Sequence, residues 1–411
     1  MNTPNIRFKG YTDAWEQRKL GDVGKEQLSN GIMNNQSDEP TEVKHINVIN
    51  MYSPDRIHVD ELTYSLYSDE DVEKCNVEYG DIFMTRSSLK PEGIAEANVL
   101  LDTGKYVYDD HLIRLKVDTS VYDPMFVKIN LGNSLIKSQF IKKSKTTAFT
   151  TIGQDDIASC EGMFPRYDEQ KQIGEFFIGI DNLITLHQRK CDELQKVKKY
   201  MLQKMFPKKG EKVPEIRFAG FTDDWEQRKF PEFVHFYNGQ TYKPEDVQDD
   251  GVLVLRSSNV KNDEIVEADN IYLDKSVANA EQVRKGDIIV VVRNGSRALI
   301  GKHAEIKREM PNTVIGAFMT GIRSEHSSFV NALLGTPQFE REIEMNMGAT
   351  INQITGYMFS KMAFMIPSGD EQDKIGAYFK GLDNLIALHQ RRHDTLKEIK
   401  KYMLQNMFPK K

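Results

Sequence analysis

Apolar residues recur every three or four positions through two long stretches of the chain. In residues 169–209 they form one stripe along a helix, at Ile173, Phe177, Ile180, Ile184, His187, Cys191, Leu194, Lys198, Met201 and Met205. Alternating steps of four and three are typical of a heptad seam. Asp168 precedes this stretch as a candidate N-cap, and Pro207 follows it as a stop. The pattern predicts a helix of about 38 residues, or roughly 55 Å.

The same stripe returns near residue 411. Residues 371–411 repeat residues 169–209 in the same register, with the seam at Ile375, Phe379, Leu382, Ile386, His389, His393, Leu396, Lys400, Met403 and Met407. Asp370 and Pro409 take the places of Asp168 and Pro207. Because a one-sided helix of this length is not stable alone, we expect the two helices to pack as an antiparallel coiled coil with pseudo-two-fold symmetry.

A shorter repeat opens each half of the chain. The segment PNIRFKGYTDAWEQRKL at residues 4–20 returns as PEIRFAGFTDDWEQRKF at residues 214–230, whereas the regions that follow the two copies share little. The repeats predict four segments. These are a globular region at residues 1–167, a helix at 168–208, a second globular region at 209–369 and a second helix at 370–411.

The regions between the repeats alternate short apolar runs with Gly and Asp, a pattern typical of strands and turns. Such runs occupy residues 45–52, 80–85, 251–255 and 286–292. The predicted fold class is therefore α+β, with two strand-rich globular domains separated by two long helices.

Composition and charge narrow the class of protein. With 411 residues, 39% hydrophobic and 28% charged, the chain is typical of globular proteins with more than one domain. No apolar run is long enough to span a membrane, and three cysteines are too few for a disulfide framework, so we expect a cytoplasmic location.

The distribution of charge matters more than its sum. The net charge of −6 argues against a nucleic-acid partner, but residues 189–209 carry eight basic and two acidic side chains, and residues 391–411 carry seven and two. A solvated helix face is one interpretation of such a stretch. Its recurrence in both halves favours a surface that faces a polyanion.

Candidate nucleic-acid-binding residues follow the predicted strands. In both halves a Gly-Asp turn leads into an apolar strand that ends in Arg and small polar residues. Arg can pair with guanine and Asn or Gln with adenine, while Lys, Ser and Thr suit phosphates. The candidates are Arg86, Ser87, Ser88, Lys142, Lys143, Lys145, Gln154, Arg256, Ser257, Asn259, Arg293, Asn294, Ser296, Asn352 and Gln353, the last two in a polar stretch with Gly348 and Thr350. An exposed turn without a ligand is the alternative for each.

Motifs for catalysis are not found in the sequence. It has no GxGxxG loop and no HExxH pair, and the segment GSRALIGK at residues 295–302 has five residues between its glycines where a phosphate-binding loop needs four. His187, His389 and His393 lie on the seam, where packing is a better interpretation than metal binding. We therefore expect a chain that makes or breaks no covalent bond and binds no metal.

Three repeated motifs carry a resemblance to a known family: IRFxGxTDxWEQRK, EQxxIGxxFxxxDNLIxLHQR and KKYMLQxMFPKK. In this order, with variable regions between them, they resemble the specificity subunit of a type I restriction-modification system over the whole chain. The resemblance implies two target recognition domains that each recognise one half of a bipartite double-stranded DNA target. It also implies that the helices set the unread spacer, and that two modification subunits dock on the helices and the WEQRK segments.

The same resemblance implies how the chemistry is divided among subunits. The modification subunits would use S-adenosylmethionine to methylate adenine, and restriction subunits that use ATP and Mg would join the complex. This chain would then be a non-catalytic subunit without a bound cofactor. A coiled-coil scaffold that does not recognise DNA is the alternative. It explains the seam and the net acidity, but not two divergent strand-rich domains in one repeated frame.

Overall fold

The two predicted long helices are present, and both have the expected length. The computed structural model describes residues 3–347 and 352–409. Its longest helices are Tyr167–Lys204 and Gly369–Asn406, each of 38 residues. Asp168 and Asp370 lie inside the first turn, so the prediction that they are N-caps is wrong. A carboxylate in the first turn still interacts favourably with the positive end of the helix.

Contacts divide the chain into two units that cut across both long helices. The first unit comprises Met1–Gln188 and Arg391–Lys411, and the second comprises Arg189–Gln390. Each unit therefore contains one variable region, the first half of one long helix and the second half of the other. The predicted four-segment division follows the sequence repeats and stays a prediction.

Within each unit the paired helix halves run antiparallel. In the first unit the Lys400 ammonium donates to Asp181 at 2.6 Å, which joins the early part of one helix to the late part of the other. In the second unit Lys198 and Asp383 form the same pair at 2.7 Å. Each residue of one pair is 202 positions from its counterpart in the other, which is the offset of the sequence repeat. The predicted seam is thus the paired side inside each unit.

The first unit contains thirteen strands among its described residues. They are β1 (Glu16–Lys19), β2 (Ser29–Asn30), β3 (Gln36–Ser37), β4 (Val43–Ile46), β5 (Thr63–Ser65), β6 (Ile82–Thr85), β7 (Ser87–Ser88), β8 (Ala97–Val99), β9 (Lys105–Tyr108), β10 (Leu112–Leu115), β11 (Lys145–Thr146), β12 (Thr150–Thr151) and β13 (Glu161–Phe164). Its helices are α1 (Asp69–Cys75), α2 (Pro124–Leu131), α3 (Ser134–Lys143), α4 (Gln154–Ala158) and the first half of α5 (Tyr167–Lys204).

The second unit repeats much of this plan. Its described strands are β14 (Glu226–Lys229), β15 (His235–Asn238), β16 (Val247–Gln248), β17 (Val252–Leu255), β18 (Val260–Lys261), β19 (Glu264–Ile265), β20 (Ile271–Leu273), β21 (Ile288–Val291), β22 (His303–Glu305), β23 (Thr313–Ile315), β24 (Met319–Arg323) and β25 (Ala363–Ile366). Its helices are α6 (Ser327–Leu334), α7 (Pro337–Asn346), α8 (Gly356–Lys361) and the first half of α9 (Gly369–Asn406).

Equivalent sheets occur in the two units. The order β2-β10-β6-β8 in the first unit matches β15-β24-β21-β22 in the second, and all neighbours in both sheets are antiparallel. A second sheet, β3-β5-β4-β9 or β16-β20-β17-β23, contains one parallel pair in each unit. The predicted α+β class, with two strand-rich regions and two long helices, is confirmed.

An aromatic cluster closes each core, and the segment that follows a long helix supplies part of it. In the first unit Trp15 packs edge-on against Phe126 and Phe408, with ring centroids 5.6 and 5.9 Å away. In the second unit Trp225 packs against Phe206 at 5.9 Å and Phe329 at 6.2 Å. Burial of each such ring contributes about 1.5–3 kcal/mol. The segment after α9 thus completes the first core, and the segment after α5 completes the second.

Three of the four predicted strand runs are strands, and the fourth is only partly so. Strands β6, β17 and β21 lie within the predicted runs at 80–85, 251–255 and 286–292. In the run at 45–52 the strand ends at Ile46, and Val48–Tyr52 forms a 3-10 helix. The Asn50 side chain accepts a hydrogen bond from the Asn47 N–H at 2.7 Å, which turns the chain.

Candidate nucleic-acid interface

In the first unit, the end of β6 places several predicted residues on one small sheet. Arg86 directly follows the buried strand and is exposed. Its N–H donates to the His111 carbonyl at 2.9 Å, and its carbonyl accepts from the Ile152 N–H at 3.1 Å. Strand β7, which consists of Ser87 and Ser88, then pairs with β12, and β12 pairs with β11, which begins at Lys145. The sheet thus groups Ser87, Ser88 and Lys145, and Arg86 directly precedes it.

The other three candidates of this unit lie outside the sheet. Lys142 is exposed near the end of α3, and Lys143 beside it donates to Ser159 Oγ at 2.7 Å. Gln154 is half-buried and bonded to its own unit. With its amide oriented to match donors to acceptors, it donates to the Leu28 carbonyl at 3.1 Å and accepts from the Asn30 N–H at 3.2 Å. Gln154 therefore shapes the fold in this conformation, and its role as a base contact stays a prediction.

In the second unit, the equivalent strand end also presents an exposed arginine. Arg293 follows β21, and its guanidinium lies over the Phe318 ring, 5.0 Å from the centroid. The backbone of Arg293 forms an antiparallel bridge with Gln353. Phe318 is 53% exposed, so the arginine and the ring form one surface feature. Stacking on a ring restricts the guanidinium to fewer orientations, which favours a directional contact.

Polar residues from three segments surround Arg293. Asn294 Nδ2 donates to Ser257 Oγ at 3.0 Å, and Asn294 Oδ1 accepts from the Ser296 N–H at 2.9 Å. Asn352 Nδ2 donates to the Gly295 carbonyl at 3.1 Å. The structure thus brings together Ser257, Arg293, Asn294, Ser296, Asn352 and Gln353. Gly348 and Thr350, from the same predicted polar stretch, lie outside the described residues.

Two candidates of the second unit serve the fold instead. Asn259 is 1% exposed, and its side chain accepts from the Arg256 N–H at 2.9 Å. The Asn259 amide also donates to the Val266 carbonyl at 3.2 Å. The Arg256 guanidinium donates to the Asp269 carbonyl, which holds it against its own unit. The placement of Asn259 therefore speaks against the predicted DNA contact, since a buried, satisfied amide cannot reach a base edge.

Some exposed residues at these strand ends were not predicted from the sequence. Phe318 lies under Arg293, and Phe149, 53% exposed, lies in the turn between β11 and β12. Leu89 follows β7 and is 81% exposed. Large exposed apolar side chains beside polar ones are typical of binding surfaces. The sequence carries no signal for Phe318, because its neighbour Arg293 is distant along the chain.

Buried charged groups anchor the opposite end of each strand. Asp287, just before β21, accepts two hydrogen bonds from the Arg323 guanidinium at 2.8 and 2.7 Å and one from the Tyr237 hydroxyl at 2.8 Å. Burial and the Asp287 charge raise the pKa of Tyr237. In the first unit Asp81, before β6, lies 3.5 Å from Arg114, and burial raises its pKa to about 6. Both strand ends therefore project from fixed strands.

A second surface repeats almost unchanged in the two units. Strands β1 and β14 both have the sequence EQRK, are exposed at all four positions and lie in two-stranded sheets. The long helices also expose apolar residues at repeated positions: Leu183, Leu186, Ile399 and Tyr402 in the first unit, and Leu385, Leu388, Val197 and Tyr200 in the second. Exposed apolar side chains are not explained by packing within the unit.

Metal ligands are scarce among the described residues. Across 3–347 and 352–409, the one His/Cys/Asp/Glu group close enough to hold an ion is Asp109, Asp110 and His111. The seam histidines His187 and His393 are buried, and His389 is half-buried. Exposed acidic groups of this kind are common without an ion. We therefore assign no metal ion to this cluster.

Comparison with known proteins identifies the family. The model of the type I restriction modification DNA specificity domain matches twice, at residues 12–196 and 222–398. The chain belongs to this family. Both matches span a variable region and most of the long helix that follows it, so each family domain corresponds to one sequence repeat. The chain is thus a DNA specificity subunit of the type I restriction-modification class.

Individual relatives agree with this assignment. The chain is 24% identical over 317 residues to the type I restriction enzyme MjaVIII specificity subunit of Methanocaldococcus jannaschii, a match that covers 73% of each chain. It is 23% identical over 410 residues to the putative MjaX specificity subunit of the same organism, covering 95% of this chain and 92% of that one.

The fold is shared with a solved structure. The S subunit of a type I restriction-modification system from M. genitalium superposes with a TM-score of 0.62 at 15% identity, and all of both chains is covered. This likeness shows the fold. A search for helices long and apolar enough to cross a membrane found none among the described residues.

Proposed function

We propose that each unit recognises one half of a two-part DNA target through the strand end that carries Arg86 or Arg293. One observation supports this most strongly. Both units place an exposed arginine at the same strand end, yet the side chains around the two arginines differ. A shared scaffold with divergent tips is what recognition of two unlike sequences requires.

The two strand ends suit different kinds of contact. In the second unit, Arg293, Asn294 and Gln353 offer the groups that pair with guanine and adenine edges. In the first unit, the sheet of Ser87, Ser88 and Lys145 offers short hydroxyls and a cation, which suit phosphates, and Arg86 is the candidate base contact. Lys142 and Lys143 extend this cationic surface, so phosphate contacts would position the first unit on the duplex.

The long helices set the unread spacer in this proposal. At 1.5 Å per residue, a helix of 38 residues spans roughly 57 Å. Half-sites about one turn of DNA apart lie roughly 34–36 Å from each other, which is within that length. The ion pairs Asp181–Lys400 and Lys198–Asp383 hold the register of the helix halves inside each unit.

We further propose that two modification subunits dock on the repeated surface formed by β1, β14 and the exposed apolar positions of α5 and α9. The same surface occurs once in each unit, which matches two identical partners. The chain itself would be non-catalytic and bind no cofactor. The partners would supply S-adenosylmethionine for methylation of adenine, and restriction subunits would use ATP and Mg.

Single-molecule mapping of methylated adenine tests the proposal. Plasmid DNA from cells that express this chain with its modification subunits is compared with DNA from cells that lack only this chain. We expect a methylated motif in two parts with a fixed gap that depends on the chain. If the complex assembles and no motif depends on the chain, the scaffold alternative replaces DNA recognition.

Insertion of one heptad into both α5 and α9 tests the spacer role. Seven residues lengthen a helix by roughly 10 Å, or about three base steps. We expect the gap in the methylated motif to lengthen while both half-sites stay the same. The control is a heptad of altered sequence without insertion. An unchanged gap with intact methylation would show that the helices do not set the spacer.

A further inference from the structure

A cavity in the first unit brings three lysines together where the recognition region meets the helix pair. It has a volume of about 440 Å³ and is lined by Lys128 of α2, Lys137 of α3 and Lys400 of α9. Lys400 pairs with Asp181 at 2.6 Å, and Lys137 pairs with Glu96 at 3.0 Å. Lys128 forms no ion pair within residues 3–347 and 352–409, and its ammonium lies 3.4 Å from the Pro54 carbonyl.

The environment of Lys128 disfavours its own positive charge. Burial lowers the pKa of Lys128, and the charge of Lys400 lowers it further, whereas the charges of Asp181, Asp55 and Glu96 oppose the shift. Asp55 is itself hydrogen-bonded to His58 at 2.8 Å. A half-buried ammonium without a counter-ion costs free energy, and a bound anion would remove that cost.

The second unit lacks two of the three cations at the equivalent sequence positions. The segment FVKINLGN at residues 126–133 aligns with FVNALLGT at residues 329–336, and both contain the same buried Phe-Val pair. In this alignment Lys128 corresponds to Asn331 and Lys137 to Glu340. The second helix of the pair changes charge along its length, because α3 carries three lysines and no acidic residue, whereas α7 carries three glutamates and one arginine.

The remaining cation of the second unit is neutralised by the protein itself. Lys198, the counterpart of Lys400, contacts Asp383 at 2.7 Å and Asp263 at 2.9 Å. Asp263 lies in the turn between β18 and β19. Among the described residues Lys400 thus has one carboxylate partner, Asp181, where Lys198 has two, and Lys400 borders the cavity.

We propose that the cavity lined by Lys128, Lys137 and Lys400 binds a phosphate group, and that in the working complex this phosphate belongs to the backbone of the DNA. This inference rests on the proposed function. A water molecule takes up about 30 Å³ of liquid, so the cavity has room for a hydrated phosphate group. The cavity lies near the candidate DNA-binding strand end. Glu96 lines the cavity, its backbone carbonyl accepts from the Thr85 N–H at 2.9 Å, and Arg86 directly follows Thr85.

The test measures DNA affinity of the assembled complex as a function of salt, for wild type and Lys128→Gln. Loss of one phosphate contact lowers the slope of log affinity against log salt by about 0.9. We expect that decrease, equal weakening on all DNA sequences and an unchanged methylated motif. Lys128→Arg keeps the charge and should retain the slope. Lys74→Gln removes an exposed lysine that pairs with Glu70 and should leave the slope unchanged.

A second measurement separates the two sources of phosphate. Inorganic phosphate is added to the DNA-free complex at matched ionic strength, and the melting temperature is compared between wild type and Lys128→Gln. A phosphate-dependent rise in wild type alone, with an unchanged DNA salt slope, would assign the cavity to free phosphate and overturn the DNA assignment. If neither the slope nor the melting temperature depends on Lys128 while wild type still binds its motif, the inference is wrong and the proposed function stands. If the wild-type complex recognises no motif, the proposed function fails. The measurement with inorganic phosphate then decides alone whether the cavity binds phosphate.

Discussion

The two units carry the same strand end, but they surround it in different ways. In the first unit the chain continues from Arg86 into β7 and joins a three-stranded sheet of short polar side chains. In the second unit Arg293 lies on the Phe318 ring, and the following loop is hydrogen-bonded to Ser257. The sheet behind each arginine has the same strand order in both units. The sequence differences are therefore concentrated at the strand ends, where a ligand could be contacted. Duplication has kept the scaffold and changed the surface that it presents.

The anchors behind the two strand ends differ as well. Asp287 accepts three side-chain hydrogen bonds from Arg323 and Tyr237, whereas Asp81 lies 3.5 Å from Arg114. The second unit therefore holds its strand through a tighter ionic network. Differences of this kind can be tested by matched substitutions in the two repeats.

The largest expected effect is the loss of stability when the segment after a long helix loses its buried ring. Phe408→Ala removes a buried ring beside Trp15, and Phe206→Ala removes the equivalent ring beside Trp225. Each change should destabilise one unit by about 3–5 kcal/mol, because a large buried side chain is lost and a cavity is left. Hydrogen exchange should show faster exchange in β6 and β10 for Phe408→Ala, and in β21 and β24 for Phe206→Ala.

This result would be informative because Phe206 follows the first recognition region in sequence but belongs to the second core. Phe408→Leu and Phe206→Leu keep most of the side-chain volume and serve as controls with smaller effects. Faster exchange in the first unit on Phe206→Ala would contradict the division of the chain. Exchange is preferred to a single melting curve, since a chain of two units need not unfold in one step.

An intermediate effect is expected from the aspartates before the two strands. Asp287→Asn should lower the free energy of unfolding of the second unit by about 1.5–3 kcal/mol. The reason is that Arg323 loses charged hydrogen bonds while the Arg284 N–H keeps an acceptor oxygen. Asp81→Asn should cost less at pH 7. The folded-state pKa of Asp81 is raised from 3.8 to about 6, so its stabilising contribution is present below pH 3.8 and lost as the pH rises through about 6.

The measurement is hydrogen exchange of β6 and β21 at pH values from 4 to 7, corrected for the intrinsic rates. Wild type should lose protection in β6, relative to Asp81→Asn, as the pH rises through this range. Equal costs for the two substitutions at pH 7 would show that the anchors are equivalent after all.

The sequence predicts the helices well and the strand ends only in part, for physical reasons. A seam repeated over 38 residues in two copies leaves little ambiguity. Its length requires a helix partner, and the duplication favours an antiparallel pair. Burial of Asn259 was not predicted, because its partner Val266 is reached through a turn that the local pattern does not specify. The strand prediction at 45–52 failed where Asn47 and Asn50 hydrogen-bond locally. The packing of Phe408 on Trp15 depends on tertiary structure and has no local signal.

The smallest expected effect concerns the arginines themselves. If the arginine contacts a base, Arg293→Ala and Arg86→Ala should each lower the binding free energy that distinguishes the right base from a wrong one by about 1–3 kcal/mol, at one position of the DNA site. Each change should relax only the half-site of its own unit, because the two arginines lie in different units. Methylation mapping of the two variants shows which half of the motif becomes degenerate.

Lysine substitutions distinguish base from phosphate contacts at the same positions. Arg293→Lys keeps the charge but loses the planar, two-pronged donor and its stacking on Phe318. If Arg293 contacts guanine, lysine should not restore discrimination, whereas a phosphate contact should be largely restored. Because Arg293→Lys also loses the stacking of the guanidinium on Phe318, Arg86→Lys should be tolerated better than Arg293→Lys. Equal tolerance of lysine at both positions would mean that the ring under Arg293 does not contribute to specificity, and that the two strand ends bind DNA in the same way.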